Sequence, residues 1–223
     1  DKEMILAFEK EVLGLYISGH PLEEYVATLE KNITRTTADF EVVDGETEPK
    51  VKDQERAVIG GMITGRTVKA TRTNNMMAFL TVEDLYGTVE VIVFPRDYEK
   101  YRTLLEEDTK VFIQGRVTVE EDKPAKLICS GVVPFDAVEK ELWIQFSTRA
   151  DYEEAEQTLF AILGNYDGTE NVYIYLSKDR ARKLLPKSRC TKVCKELLSE
   201  LYTKFGEDNV KVTEKSIEKK FRA

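Results

Sequence analysis

The chain has 223 residues, 42% apolar and 33% charged, with a formal net charge of −8. That length allows two ordinary domains with cores of their own, and no apolar run approaches the ~20 residues of a membrane helix. Three cysteines and a single histidine leave little for a disulfide framework, a zinc shell or histidine-based catalysis, and they fit a reducing cytoplasm.

The charge is unevenly spread. Residues 1–55 carry 6 basic and 14 acidic side chains, residues 56–136 carry 11 and 12, and residues 137–223 carry 16 and 15. A strongly basic duplex-DNA binder is excluded, while weak contact with a single strand remains open.

In chain order, Ile5, Phe8, Val12 and Leu15 recur at helical spacing. Gly19-His20-Pro21 breaks that helix, and Leu22, Tyr25, Val26 and Leu29 form the stripe of a second one. Residues 1–43 thus read as a helical segment, and 44–55, with almost nothing to bury, as a linker. From Ala57 the period changes to strands. Residues 57–71 form a long strand whose glycines at 60, 61 and 65 suit bulges, and 76–86 and 88–94 form a hairpin. Pro95 opens a helix with Tyr98, Tyr101, Leu104 and Leu105 on one side, and 110–121 and 125–135 supply two more strands. Three strands, a helix and two strands is the order of an OB-fold, a five-stranded Greek-key barrel over 56–136. Residues 137–223 then read as a small β-α-β-α-β domain: strand 141–147, helix 151–166, strand 171–177, helix 191–205 and strand 209–213. The expected class is multi-domain α+β.

The residues offer no catalytic constellation. No Gly-Lys-Ser/Thr follows the glycines, Cys190 and Cys194 have no further ligand nearby, and His20 suits a turn residue bonded locally. Acidic pairs such as Glu83-Asp84 read as solvated strand ends. No cofactor and no metal are expected. Two binding candidates stand out. On the outer face of strands two and three, Phe79 and Phe94 could form a stacking platform, with Lys69, Arg72 and Arg116 around it and Glu83 and Glu90 opposing phosphate. Between 178 and 195, eight basic residues stand against one acid, with Arg180, Arg182 and Lys183 at their centre. That stretch suits either a solvated face or a docking surface for a protein or DNA.

The segment EKEVLGLYISGHPLEEY (9–25) resembles a signature of the C-family bacterial replicative polymerases, in their α subunit. Residues 58–101, particularly MAFLTVED and EVIVFP, are similar to that family's OB domain, and LLPKSR (184–189) with FGEDNV (205–210) to its small C-terminal domain. The resemblance implies a non-catalytic C-terminal fragment, because the family's catalytic aspartates have no counterpart here. It implies an OB-fold touching single-stranded template and a last domain docking the clamp-loader τ subunit, both working with the remainder of the α subunit. Relatives place more positive charge between the first two strands than Arg72-Thr73-Asn74-Asn75 does, so DNA binding is expected to be weak. An OB-fold serving only as an interdomain spacer is the alternative.

Overall fold

In a computed structural model of the chain, residues 19–42, 48–121 and 123–222 are described. The expected helix around Ile5–Leu15, Val43 at the end of the expected helical segment, residues 44–47 of the expected linker, Asp122 and Ala223 lie outside them. The chain divides into two compact units, residues 1–137 with 216–223, and residues 138–215.

The first unit is a closed barrel of five strands: β1 (Arg56–Ala70), β2 (Met76–Glu83), β3 (Thr88–Val93), β4 (Lys110–Thr118) and β5 (Lys126–Pro134), in the order β1-β2-β3-β5-β4. Alternation does the building. Ile59, Ile63, Leu80, Val82, Val91, Val93, Ile113, Val117 and Leu127 are fully buried inside the barrel. The helix α2 (Pro95–Tyr101) follows β3, preceded in the chain by α1 (Val26–Asn32). Proline at its first turn suits a position whose N–H has no partner. Tyr98 and Leu105 enter the barrel core, with Tyr101 and Leu104 half-buried against it. Arg66 Nη2 donates to the Tyr98 hydroxyl at 3.1 Å and its Nη1 lies 2.6 Å from Glu106, fastening the plug to β1.

The glycines of β1 do different jobs. A register shift falls between Ile63 and Gly65, a bulge that lets a 15-residue strand coil around the barrel. Gly61 instead permits close approach, since a Cβ there would stand 2.4 Å from the Glu83 carbonyl oxygen.

Around this barrel the flanking segments are pinned. A 3-10 turn at Glu23–Tyr25 leads into α1, Leu22 and Leu29 are buried, and Tyr25 packs on Phe135 at 5.2 Å between ring centroids. His20 bonds locally, its Nδ1 accepting from the Leu22 amide at 3.1 Å. It also has a distant partner that no local motif announced: with Nδ1 accepting, Nε2 carries the proton and donates to Glu83 at 3.2 Å. Asp84 is not a solvated strand end. It is 6% exposed and accepts from the Thr37 amide and hydroxyl, the Tyr86 amide and the Gly87 amide. The described part of the expected linker is also fastened, with Val51 buried, its amide donating to the Asp39 carbonyl, and the Gln54 amide to the Val117 carbonyl. The chain's last turn, Ile217–Arg222, belongs to this unit. Ile217 is 2% exposed and its amide donates to Asn32 Oδ1, and Phe221 fills the space over Gly131.

The second unit is a four-stranded sheet in the order β8-β7-β6-β9, made of β6 (Lys140–Phe146), β7 (Asp167–Leu176), β8 (Ala181–Leu184) and β9 (Val210–Glu214), with helices α3 (Arg149–Leu163) and α4 (Lys195–Phe205). Thr148 and Asp151 form a capping box at the start of α3, each side chain bonding the other's backbone amide. Leu142, Ile144, Val172, Ile174 and Val210 meet Tyr152, Leu159, Leu163, Leu197 and Leu201 in a second core. Strands β6 and β7 are parallel with α3 as the crossover, and β8 and β9 close the two edges antiparallel. Strand β8 is an addition to the expected β-α-β-α-β order. All four of its residues are exposed, so they show no apolar alternation to read. No described helix is long and apolar enough to cross a membrane.

Candidate nucleic-acid interface

The strand pairing of the barrel determines which outward side chains become neighbours. Thr67 pairs with Phe79, Phe79 with Ile92, Ile92 with Ile128, and Ile128 with Arg116. Directly opposed residues share a face, so one row crosses β1, β2, β3, β5 and β4 on the outside of the barrel. Phe79, Ile92 and Ile128 in that row are half-buried, and Arg116 is exposed. Lys69 leans over the row from β1, its Nζ 5.1 Å from the centroid of Phe79, within cation–π range. Arg116 is itself opposite Arg56 of β1, which adds a second guanidinium at that end. The result is an apolar stripe with a cation over one end and two beside the other.

Phe94 does not pair with Phe79. The strand ladder ends at Val93, Ile92 takes the position opposite Phe79, and Phe94 becomes the N-cap of α2, 45% exposed. Arg72 is exposed in the β1–β2 turn, which is held by the Thr71 amide donating to the Asn75 carbonyl and the Asn74 amide to the Thr71 carbonyl. Asn74 takes φ +60° there, a conformation asparagine tolerates. Thr67, Ile92, Ile128 and Arg56 are the members of the row that strand-by-strand reading leaves out of the site.

The two carboxylates on this face are each engaged. Glu90 Oε1 lies 2.8 Å from Lys126 Nζ, and Glu83 accepts from His20. The bond to Glu90 holds the Lys126 ammonium above the usual lysine range. Repulsion of a phosphate chain by these acids is therefore reduced. Beside the ion pair, a groove of about 370 Å³ runs between Thr81, Thr88, Glu90, Lys123 and Lys126.

In the second unit, the basic stretch turns out to be a turn and an edge strand. Arg180 occupies the turn with φ +49°. Arg182 pairs with Tyr175, on the face away from the helices, and Lys183 pairs with Ile174, on the face toward them. Lys183 Nζ sits 5.0 Å from the Tyr152 ring, beside a cleft of about 400 Å³ that Arg149 and Glu156 also line. The three residues share one edge of the sheet and no single face. Cys190 and Cys194 are half-buried thiols, Cys190 Sγ lying 3.7 Å from Asn171 Oδ1. Cys129 is buried in the barrel, and burial pushes its thiol up to about 12.

Residues 57–135 match the family described as "OB-fold nucleic acid binding domain". The chain is similar to proteins named DNA polymerase III subunit alpha. In Saccharopolyspora erythraea the identity is 36% over 135 residues, covering 60% of this chain and 11% of that protein. In Aquifex aeolicus it is 43% over 110 residues, covering 49% and 9%, and in Bacillus subtilis 29% over 210 residues, covering 92% and 18%. The chain thus spans less than a fifth of the length of these relatives. Among solved structures, the SSB domain of a Synechococcus protein aligns with 37% of this chain and 97% of its own at 12% identity and a TM-score of 0.33. Strand order, plug helix and sequence matches converge: residues 57–135 form an OB-fold barrel similar to nucleic acid binding domains of that fold, in a chain similar over part of its length to proteins named DNA polymerase III subunit alpha.

Proposed function

We propose that this chain is a non-catalytic, C-terminal part of a bacterial replicative polymerase α subunit, working in the cytoplasm. Its barrel holds single-stranded template and its second unit docks the clamp-loader τ subunit. The observation that carries the first half is the half-buried row of Phe79, Ile92 and Ile128 between Lys69 and the Arg56–Arg116 pair. Bases present apolar faces and phosphates present charge, and such a row offers a counterpart to both. Few cations line it, so binding is weak and depends mildly on salt.

The test is fluorescence anisotropy of a labelled oligothymidylate across a salt series. Phe79→Ala weakens binding about fivefold or more, the loss of roughly 1 kcal/mol of stacking. Replacing Lys69, Arg72 and Arg116 together by Ala flattens the salt slope by about 2. Isotherms that ignore both changes make the barrel an interdomain spacer.

The docking half is supported by the excess of positive charge from Lys178 to Lys195, which the fold does not need. Reversing Arg180, Arg182 and Lys183 to Glu slows association with τ at low salt and leaves the thermal midpoint nearly unchanged. Unaltered association kinetics would place the docking surface elsewhere.

A further inference from the structure

Strand β8 is the edge of its sheet, and its register says which of its backbone groups are spoken for. The Leu185 amide donates to the Val172 carbonyl, and antiparallel hydrogen bonding alternates along a strand. Lys183 and Ala181 therefore exchange bonds with Ile174 and Leu176, while Arg182 and Leu184 turn their N–H and C=O groups away from β7. Among the described residues, no strand or loop pairs with that outer side. The side chains along that edge combine positive charge with one exposed apolar residue. Leu184 is 51% exposed and lies opposite Tyr173, which stacks on Trp143 at 4.3 Å. Along the sequence from 178 to 187, Lys178, Arg180, Arg182, Lys183 and Lys187 stand against one acid, Asp179; Glu153 and Glu156 line the cleft beside Arg182 and Lys183, and no ion pair among the described residues engages these five cations.

We infer that β8 is a template for β-augmentation: an extended, acidic segment of a partner protein adds to the sheet as a fifth strand along Arg182–Leu184. Lysine and arginine on an edge repel the edges of like sheets, and the same charges select an acidic strand. Alternation specifies the pattern. Arg182 and Leu184 share one face and Lys183 points to the other, so the incoming segment carries two adjacent carboxylates followed or preceded by an aliphatic residue. The carboxylates meet Arg182 and Lys183, and the aliphatic residue covers Leu184. The inference rests on the τ-docking reading and adds how the contact is made.

The probe is purified τ subunit with the whole chain. On saturation with τ, hydrogen exchange at the Arg182 and Leu184 amides slows at least tenfold, because both become bonded. Leu184→Ala and Leu184→Pro remove the same side chain, but only proline lacks the outward N–H, and proline is tolerated on an edge strand at such a position. The proline variant binds τ about tenfold more weakly than the alanine variant while both keep the same thermal midpoint. Binding of τ with unchanged exchange at these two amides overturns β-augmentation and leaves docking intact. Failure of the unmodified chain to bind τ at all removes the docking reading and this inference with it.

Discussion

Asp84 gathers three backbone amides and one hydroxyl onto a single buried carboxylate, and so ties the β2–β3 turn to the segment around Thr37. An Asp84→Ala change leaves those donors without a partner. The expected cost is roughly 2–4 kcal/mol, read as a lower urea midpoint with an unchanged slope. Cys129 makes a prediction about pH. Burial raises its folded-state pKa from the ordinary value to about 12, so between pH 9 and 12 the thiol ionises only in the unfolded chain. Its contribution to stability is full below pH 9 and is lost as pH rises through that window, at up to about 1.4 kcal/mol per unit. Comparing the unmodified chain with Cys129→Ala by urea unfolding at pH 8 and pH 10.5 isolates the thiol's contribution, since every other titrating group is shared. A smaller alkaline loss in Cys129→Ala is the expected result.

At the scale of elements, the barrel was legible because each strand alternates with its own period. Its order follows from five such strands and one helix opened by Pro95. The site was legible only in part, for a reason of distance. The row that joins Phe79 to Arg116 runs through Ile128, and the link from Ile92 to Ile128 is a parallel contact between β3 and β5 that no local pattern encodes. Phe94 illustrates the complementary error: counting along the hairpin extends the ladder past Val93, where the chain leaves to begin α2. Strand β8 was hidden because its exposed residues alternate nothing apolar, and the sheet shows it only through its pairing with β7. The glycines of β1 give a test at this scale. In Gly61→Ala the new methyl meets the Glu83 carbonyl oxygen at 2.4 Å, whereas at Gly65 the nearest atom, Thr81 Oγ1, is 3.3 Å away. Thermal melts should show a large drop for Gly61→Ala, roughly 2 kcal/mol or more, and a much smaller change for Gly65→Ala.

Over the whole molecule, two separate cores sit in one chain, and one of them carries a reporter of its own. The single tryptophan, Trp143, lies on β6 of the second unit, so its fluorescence follows that unit. Ile217, although near the end of the chain, is buried with the first unit. Ile217→Ala is expected to cost the barrel about 2–5 kcal/mol. Circular dichroism should then show one transition moving to lower temperature while the Trp143 midpoint stays in place. A shift of the tryptophan midpoint by the same amount would mean that the two cores unfold as one.

The return of Ile217–Arg222 to the barrel also sets an order of events during synthesis. All five barrel strands have been made once Pro134 is added, but the turn that covers Gly131 and bonds Asn32 is encoded after residues 138–215. At roughly 5–20 residues per second, the ribosome takes on the order of 4–16 s to cross that interval. For that time Asn32 Oδ1 lacks the Ile217 amide and Gly131 lacks the Phe221 ring above it, so the barrel completes its packing only after the second unit has been made.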